Sequence, residues 1–531
     1  MNDAAQHASA PLIAALSRRE AYPHAVGTVR LEETHISWVL LTGDWAYKIK
    51  KPVDLGFLDF STLEARKGFC DDELRLNRRF APGLYDSVVA ITGTPEKPRI
   101  GGSGPALEYA VKMRQFPQDA LLGRLLERGT LAPPDIDQLA DAIAGFHAAA
   151  APVPGDRPYG TPQHVLAPVM ENFHQIRVAV GDAMDRAALR ALEIWSTDAF
   201  QRLRARFAQR RDEACVRECH GDLHLGNIVR IGDRLMPFDC IEFSPALRWI
   251  DVMSEAAFLA MDLAHRQRPD LAWRMLNRYL ETTGDYRGLD VLGFYWVYRA
   301  LVRAKIHAIR AAQLAAGRGD TGEILAGYHS YIDLAARFTR PRRPALMITH
   351  GLSGSGKTTA TQSLLETLGA FRVRSDVERK RLHGLAPLAA TQSGVGAGIY
   401  SPAANAATYG HLRDLANSIL KAGLPVIVDA AFLKRTERDA FRSLAAGLAV
   451  PFLILDCSAP ESVLRERITA REREGQDASE ADIAVLEHQI ASAEALEPDE
   501  RAHTVRVGND PAAQARNIAR KLGLDAAAAS G

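Results

Sequence analysis

Apolar and polar positions divide this chain into three regions by their pattern. Up to about residue 117 the period is two. His35–Leu41, Trp45–Lys50 and Leu107–Phe116 alternate as half-buried strands do. Thr42-Gly43-Asp44 reads as a turn joining the first two into a hairpin. Between these strands, residues 62–80 are rich in Glu, Arg, Lys and Leu and carry helical spacing. From about 118 to 335 that spacing dominates, in 121–129, 135–151 and 187–214. The exception is Glu218–Phe243, where Ile228 to Phe243 alternate as a tight hairpin around Gly232-Asp233. From Ala345 onward four apolar runs, at 345–351, 371–376, 425–432 and 451–457, are each followed by a helical pattern. That alternation predicts a parallel sheet wound with helices.

The patterning therefore predicts α/β and α+β architecture in sequence. The expected boundaries are 1–117 for a β-rich lobe, 118–335 for a helical lobe, 336–344 for a linker, 345–522 for an α/β domain and 523–531 for a disordered tail. Arg340-Pro341-Arg342-Arg343-Pro344 gives the linker its stiff, basic character, and the tail is low in complexity. A length of 531 residues exceeds one ordinary core and agrees with several domains. A net charge of +1 gives no bulk electrostatic reason to expect a nucleic-acid or membrane partner. The five cysteines are scattered, which fits a reducing compartment. Cys215 and Cys219 lie four apart but lack the second ligand pair of a zinc site. No signal peptide and no bilayer-length apolar run is read, so the expectation is a cytoplasmic protein.

Two separate segments carry phosphate chemistry. The first is Gly351–Thr358, GLSGSGKT, which follows an apolar strand and opens a helix, the context a P-loop requires. Gly351, Ser353, Gly354, Ser355, Gly356, Lys357, Thr358 and Thr359 are the expected nucleotide contacts. The glycines let backbone amides approach phosphate oxygens, Lys357 reaches the β- and γ-phosphates, and the Thr358 hydroxyl helps hold Mg²⁺. Asp376 follows the next strand and is placed to accept the proton of an attacking hydroxyl. Asp429 ends an apolar strand and suits Mg²⁺ or its water shell. Arg465, Arg467, Arg471 and Arg473 crowd one helix. Arg467 and Arg471 are the candidates to close over the phosphates, against a solvated helix face.

This half resembles the small P-loop kinases of metabolites and nucleic-acid ends, namely gluconate kinase, phage polynucleotide kinase and the zeta-toxin group, with an AAA-type ATP-binding domain. In the polynucleotide kinase branch an Asp and an Arg three residues later follow the second strand. Asp376 and Arg379 fit that spacing, which implies a base and a substrate-binding or orienting contact.

The second segment is His220–Asn227, HGDLHLGN. Asp222 and Asn227 have the spacing of a kinase catalytic loop, in which the Asp takes the acceptor's proton and the Asn binds Mg²⁺. Asp239, after the hairpin, would be the second metal ligand. The stretch resembles the aminoglycoside phosphotransferase family, which also includes choline, fructosamine and homoserine kinases and has the two-lobed protein-kinase-like fold. The resemblance implies that Trp45–Lys50 bears the ATP-phosphate lysine. Lys48 fits best, and Lys50 on the same strand face is the rival. It further implies that Glu73 pairs with that lysine, that Met113–Phe116 meets adenine, and that Asp251 braces the catalytic loop. His224 reads as a residue bonded inside the loop and His147 as one packed against it. No glycine-rich loop precedes the hairpin, where only Gly43 is nearby.

Together these features predict a bifunctional kinase using ATP and Mg²⁺. One half would act on a small-molecule acceptor, the other on a metabolite or a nucleic-acid end. The alternative is a P-loop kinase or ATPase regulated by a ligand-sensing kinase-like half. Neither acceptor nor oligomeric state is legible.

Overall fold

Strand β3 (Trp45–Lys50) shows why the first half folds as it does. Tyr47 and Ile49 point to one side and are fully buried with Trp38, Leu40 and residues Leu12 and Leu16 of the first helix. Ala46, Lys48 and Lys50 point to the other side, towards the helix Leu63–Asn77. β3 pairs antiparallel with β2 (Ser37–Leu41) and with β6 (Glu108–Arg114). Adding β1 (Arg30–Glu33), β4 (Tyr85–Thr94) and β5 (Lys97–Ile100) gives a six-stranded sheet of order β1-β2-β3-β6-β4-β5.

The computed structural model describes residues 2–54, 58–180, 186–317, 319–391, 394, 396–474, 478–507 and 511–524. The chain forms two compact units. One comprises 1–167 and 207–259, the other 168–206 and 260–531. Residues 525–531 of the expected tail lie outside the described residues. Among the described residues no helix is long and apolar enough to cross a membrane.

In the first unit, β7 (Val216–Glu218) pairs with β10 (Trp249–Asp251), and β8 (Ile228–Ile231) forms a hairpin with β9 (Arg234–Pro237). The loop His220–Asn227 runs between β7 and β8, and Asp239 follows β9.

In the second unit, β11 (Leu346–His350), β12 (Phe371–Arg374), β13 (Val426–Asp429), β14 (Phe452–Cys457) and β15 (Thr504–Val507) form an all-parallel sheet of order β12-β13-β11-β14-β15. The chain reverses direction of travel at β11, and ligands of such sheets bind outside the carboxyl ends of the strands at that point.

Compactness does not divide the chain at 336–344, and the reason is local. β12 is an edge strand with unpaired backbone groups. The Asn277 side chain, on the helix Pro269–Thr283, satisfies them: Nδ2 donates to the Ala370 carbonyl (3.0 Å) and Oδ1 accepts from the Arg372 amide (2.7 Å). Trp273, one turn earlier, packs edge-on against Phe371. The helices from residue 260 onward thus pack as one body with the parallel sheet. The basic segment is packed as well, since the Arg342 guanidinium lies 4.4 Å from the Trp273 ring centroid and donates to the Leu368 carbonyl.

Candidate active sites

The first site gathers on the polar face of β3. Lys48 Nζ donates to Glu73 Oε1 at 2.9 Å and to Asp239 Oδ1. Lys50 Nζ donates to Glu73 Oε2 at 2.7 Å and to Glu242 Oε1. The two lysines therefore share Glu73 but differ beyond it. Lys48 meets Asp239, whereas Lys50 is sealed behind with Glu242. Burial alone would lower the pKa of Lys48; Asp239, Glu73 and Glu242 outweigh it and hold the lysine well above its ordinary value. Two ammonium groups face three carboxylates here. The excess negative charge falls on Glu242, whose carboxyl is pushed up by burial and by Glu73 despite the opposing pull of Lys50.

Asp239 adopts φ +63°, in the left-handed region, and its amide donates to the Tyr85 hydroxyl (3.1 Å). The next amide, of Cys240, donates to Asn77 Oδ1 (2.9 Å) at the end of the helix that carries Glu73. A strained aspartate turned towards a lysine is the kind of local conformation that accumulates at functional sites.

The catalytic-type loop is held internally. Asn227 Nδ2 donates to Asp222 through both its backbone O and Oδ2, each at 3.0 Å. His224 Nδ1 accepts from the Gly226 amide (3.0 Å), which assigns its proton to Nε2, 3.4 Å from Asp222 Oδ2. His224 thus orients Asp222. His220 is turned the same way: Nδ1 accepts from the Asp222 amide and Nε2–H donates to the Phe238 carbonyl (2.8 Å), while burial lowers its pKa.

The carboxylate that braces this loop is Glu255, which sequence reasoning missed. It accepts from the amides of His220 (3.0 Å) and Gly221 (2.7 Å) and bonds His147 Nε2 (3.0 Å). Asp251, expected in that role, instead binds the Arg210 guanidinium through both oxygens and accepts from the Met253 amide. The signal was present, because Glu255 is the one charged residue in the largely apolar run 252–261, and a buried charge demands partners. Met113 and Arg114 end β6; the Gln115 amide that follows is taken by the Asp44 carbonyl, and Phe116 stacks edge-on against Phe238. The turn between β1 and β2, Thr34–Ile36, is closed by Thr34 bonding Ser37 and holds no glycine.

The second site lies at the carboxyl end of β11. Gly351, Gly354 and Gly356 all have positive φ. A Cβ on Gly351 would collide with the Cys457 carbonyl, and one on Gly354 would sit 2.9 Å from that of Leu464. Ser353 donates its amide to Gln489 Oε1 (2.8 Å), Ser355 is buried in the loop, and Thr359 follows in the first turn of the helix Lys357–Leu368. Lys357 Nζ bonds the carbonyls of Gly351 and Leu352 (2.9 and 2.8 Å). Burial lowers its pKa against the pull of Asp429, Cys457 and Asp376. The Thr358 hydroxyl donates to Asp429 Oδ2 at 3.0 Å.

Asp376 sits in the first turn of the helix Ser375–Leu382. Burial, and then its charge, push up the Tyr400 hydroxyl. Arg379 is buried: it bonds the Ile399 carbonyl and Asn405 Oδ1 and stacks on Tyr400, 5.0 Å from the ring centroid, so it anchors the segment 398–400. In the helix Glu461–Glu474, Arg467 donates to the Gly354 carbonyl (3.2 Å) and Arg471 to that of Ala481. Arg465 instead pairs with Glu461 and Glu487 on the exposed face.

Glu281 was also missed. This buried carboxylate bonds Arg374 (2.8 Å) and lies 3.5 Å from Arg372. Arg372 in turn donates to the Thr358 carbonyl and Thr361 hydroxyl, beneath the P-loop.

Comparison with known proteins adds three findings. The AAA domain family matches residues 346–496. Proteins Mb2027c of Mycobacterium bovis and MT2060 and Rv2004c of Mycobacterium tuberculosis are each 30% identical over 456 residues, which is 86% of this chain and 89% of theirs. Among solved structures, a choline kinase from Cryptosporidium parvum aligns at 10% identity over 61% of this chain and 95% of its own, with a TM-score of 0.39. A sugar kinase from Janibacter aligns at 23% identity over 36% of this chain and 100% of its own, with a TM-score of 0.28.

Proposed function

We propose, on the premise that the chain belongs to the same family as the mycobacterial proteins Mb2027c, MT2060 and Rv2004c, that it is a bifunctional ATP-dependent phosphotransferase. Each half moves the γ-phosphoryl group of MgATP to a hydroxyl. The acceptor is a small molecule for the N-terminal half and a metabolite or nucleic-acid end for the C-terminal half. The observation that carries this reading is the Lys48–Glu73 ion pair with the Asp239 carboxylate beside it, the pair a kinase fold uses for phosphate binding and the aspartate it uses for Mg²⁺.

In the N-terminal half Lys48, fixed by Glu73, is the phosphate lysine. Lys50 is the buried counter-charge that keeps Glu73 and Glu242 ionically satisfied. Asp222 takes the proton of the acceptor hydroxyl as its oxygen bonds to the γ-phosphorus and the bond to the β–γ bridging oxygen breaks. Asn227 and the Nε2–H of His224 hold the Asp222 carboxylate for that task.

In the C-terminal half the P-loop amides and Lys357 receive the β- and γ-phosphates. Lys357 exchanges its two carbonyl partners for phosphate oxygens. Asp376 is the base, Arg467 and Arg471 stand over the transferring charge, and Arg379 shapes the acceptor side.

The donor sets fit Mg²⁺. The Asp239 carboxylate is half-exposed beside Lys48, and a hydroxyl and carboxylate lie side by side at Thr358 and Asp429; both offer hard oxygen ligands. Asn227 and Asp239 would hold the ion in one half, Thr358 and Asp429 in the other. When bound, it neutralises charge on the phosphate oxygens.

The test is ADP release from MgATP by the wild type, Asp222→Asn and Lys357→Ala, with aminoglycosides, sugars, amino alcohols and 5′-hydroxyl oligonucleotides as acceptors. Two acceptor-stimulated turnovers, each lost in a different variant, are expected. The glycine-free β1–β2 turn favours a second reading, in which the kinase-like half senses a ligand and regulates the other. In that case only Lys357→Ala changes turnover, and the bifunctional reading fails.

A further inference from the structure

Within the second unit, away from the P-loop, lies a cavity of about 310 Å³. Its walls are aromatic and apolar. Trp273 and Trp296 meet edge-on at 5.4 Å, Phe338 stacks on Trp296 at 4.9 Å, and Leu368 closes one side. Its charged lining is of one sign: Arg337, Arg340, Arg342 and Arg343 line it, and among the described residues no aspartate or glutamate does.

Arg342 is the informative one. Its Nη2 donates to the Leu368 carbonyl at 3.2 Å and its guanidinium faces Trp273, but its Nη1 is buried with no hydrogen-bond partner. Burial, with no acid opposing it, lowers its pKa to about 10. A desolvated guanidinium with an idle donor is unfavourable unless an anion completes it.

We propose that this cavity is a binding site for a small aromatic anion, whose ring lies among Trp273, Trp296 and Phe338 and whose carboxylate or phosphate is received by Arg342 and its neighbouring arginines. An apolar pocket with a few convergent polar groups is the usual form of a small-molecule site, and a planar fork suits a carboxylate or phosphate. The site is separate from the assignment of either phosphotransfer centre and stands without it.

The probe is 1-naphthoate, titrated calorimetrically into the full chain with MgATP saturating so that nucleotide sites are filled. The neutral 1-naphthalenemethanol and inorganic phosphate serve as comparisons. Two variants are read beside the wild type: Arg342→Met, which removes the idle donor and strands no carboxylate, and Ala264→Phe, which fills the cavity from a half-exposed position. Saturable single-site binding of naphthoate is expected, at least tenfold tighter than either comparison compound. It should weaken tenfold or more in both variants, while their thermal unfolding stays within a few degrees of wild type. Absence of saturable binding, equal affinity for the neutral alcohol, or an affinity unmoved by both variants overturns the proposal. If one variant unfolds, the other decides.

Discussion

Replacing Glu255 by Gln changes one atom, yet it should be among the more damaging substitutions in the first unit. Three donors converge on this buried carboxylate: two loop amides and His147. Burial would by itself raise its pKa. The hydrogen bond and charge of His147, with His220 adding to them, reverse that and lower it from 4.5 to about 2. Because the folded value is depressed, the contribution is complete above pH 4.5 and is lost as pH falls towards 2; at neutral pH it amounts to about 3 kcal/mol. Glutamine keeps the shape but offers one acceptor oxygen, and it turns an NH₂ group against a donor, which leaves a buried donor unsatisfied at about 1–3 kcal/mol. Glu255→Gln should therefore lose about 3 kcal/mol in urea unfolding at pH 7, followed by tryptophan fluorescence and circular dichroism. The gap to wild type should narrow as the pH is lowered through 4 to 3, to about half its neutral value. The N-terminal turnover should fall at least tenfold, since the amides released are those beside Asp222. A wild-type urea midpoint at pH 7, or a gap that stays constant down to pH 3, would refute the reasoning.

Lys50→Met should cost about 3–5 kcal/mol in urea unfolding, because it strands Glu242 in the interior and leaves Glu73 with Lys48 alone. Lys48→Met should cost less, Glu73 retaining Lys50, but should abolish N-terminal turnover in the ADP-release assay. Gly351→Ala, which drives a methyl into the Cys457 carbonyl at positive φ, should eliminate binding of a fluorescent ATP analogue to the C-terminal half. Gly410→Ala, in an open helical position, should bind normally and gain about 0.5–1 kcal/mol in the same unfolding assay. Asn277→Leu should lose about 2–4 kcal/mol, since it leaves the Ala370 carbonyl and Arg372 amide unpaired, and hydrogen exchange at Arg372 should accelerate.

What the sequence disclosed followed from local period. The β3 strand, the helix carrying Glu73 and the four apolar runs of the parallel sheet announce themselves through spacing, and Gly351–Thr358 through composition. β4 was not singled out, because its central residues are only half-buried and its alternation is weak. The rivalry of Lys48 and Lys50 could not be resolved from one strand face. It turns on which carboxylate each lysine meets about 190 residues later in the chain. Glu255, Glu281 and Asn277 escaped notice for a related reason. Each is a polar residue on a buried helix face, and the sequence shows that such a residue needs a partner without showing which. Arg379 was visible by spacing, but its anchoring of 398–400 depends on a fold-back no local pattern encodes.

The pairing of Asn277 with β12 bears on how this protein could have been assembled. A P-loop domain is often pictured as a cassette that recombines freely, its edges sealed within its own sequence. Here one rim is sealed by a residue about seventy positions upstream of the first strand, and two arginines on β12, Arg372 and Arg374, depend on Glu281 of the same helix for their counter-charge. An exchange of genetic material with its breakpoint in the basic segment before Ala345 would deliver a sheet with an open rim and two arginines without their counter-charge. The heritable unit that carries this P-loop intact begins further upstream, with the helices that complete it.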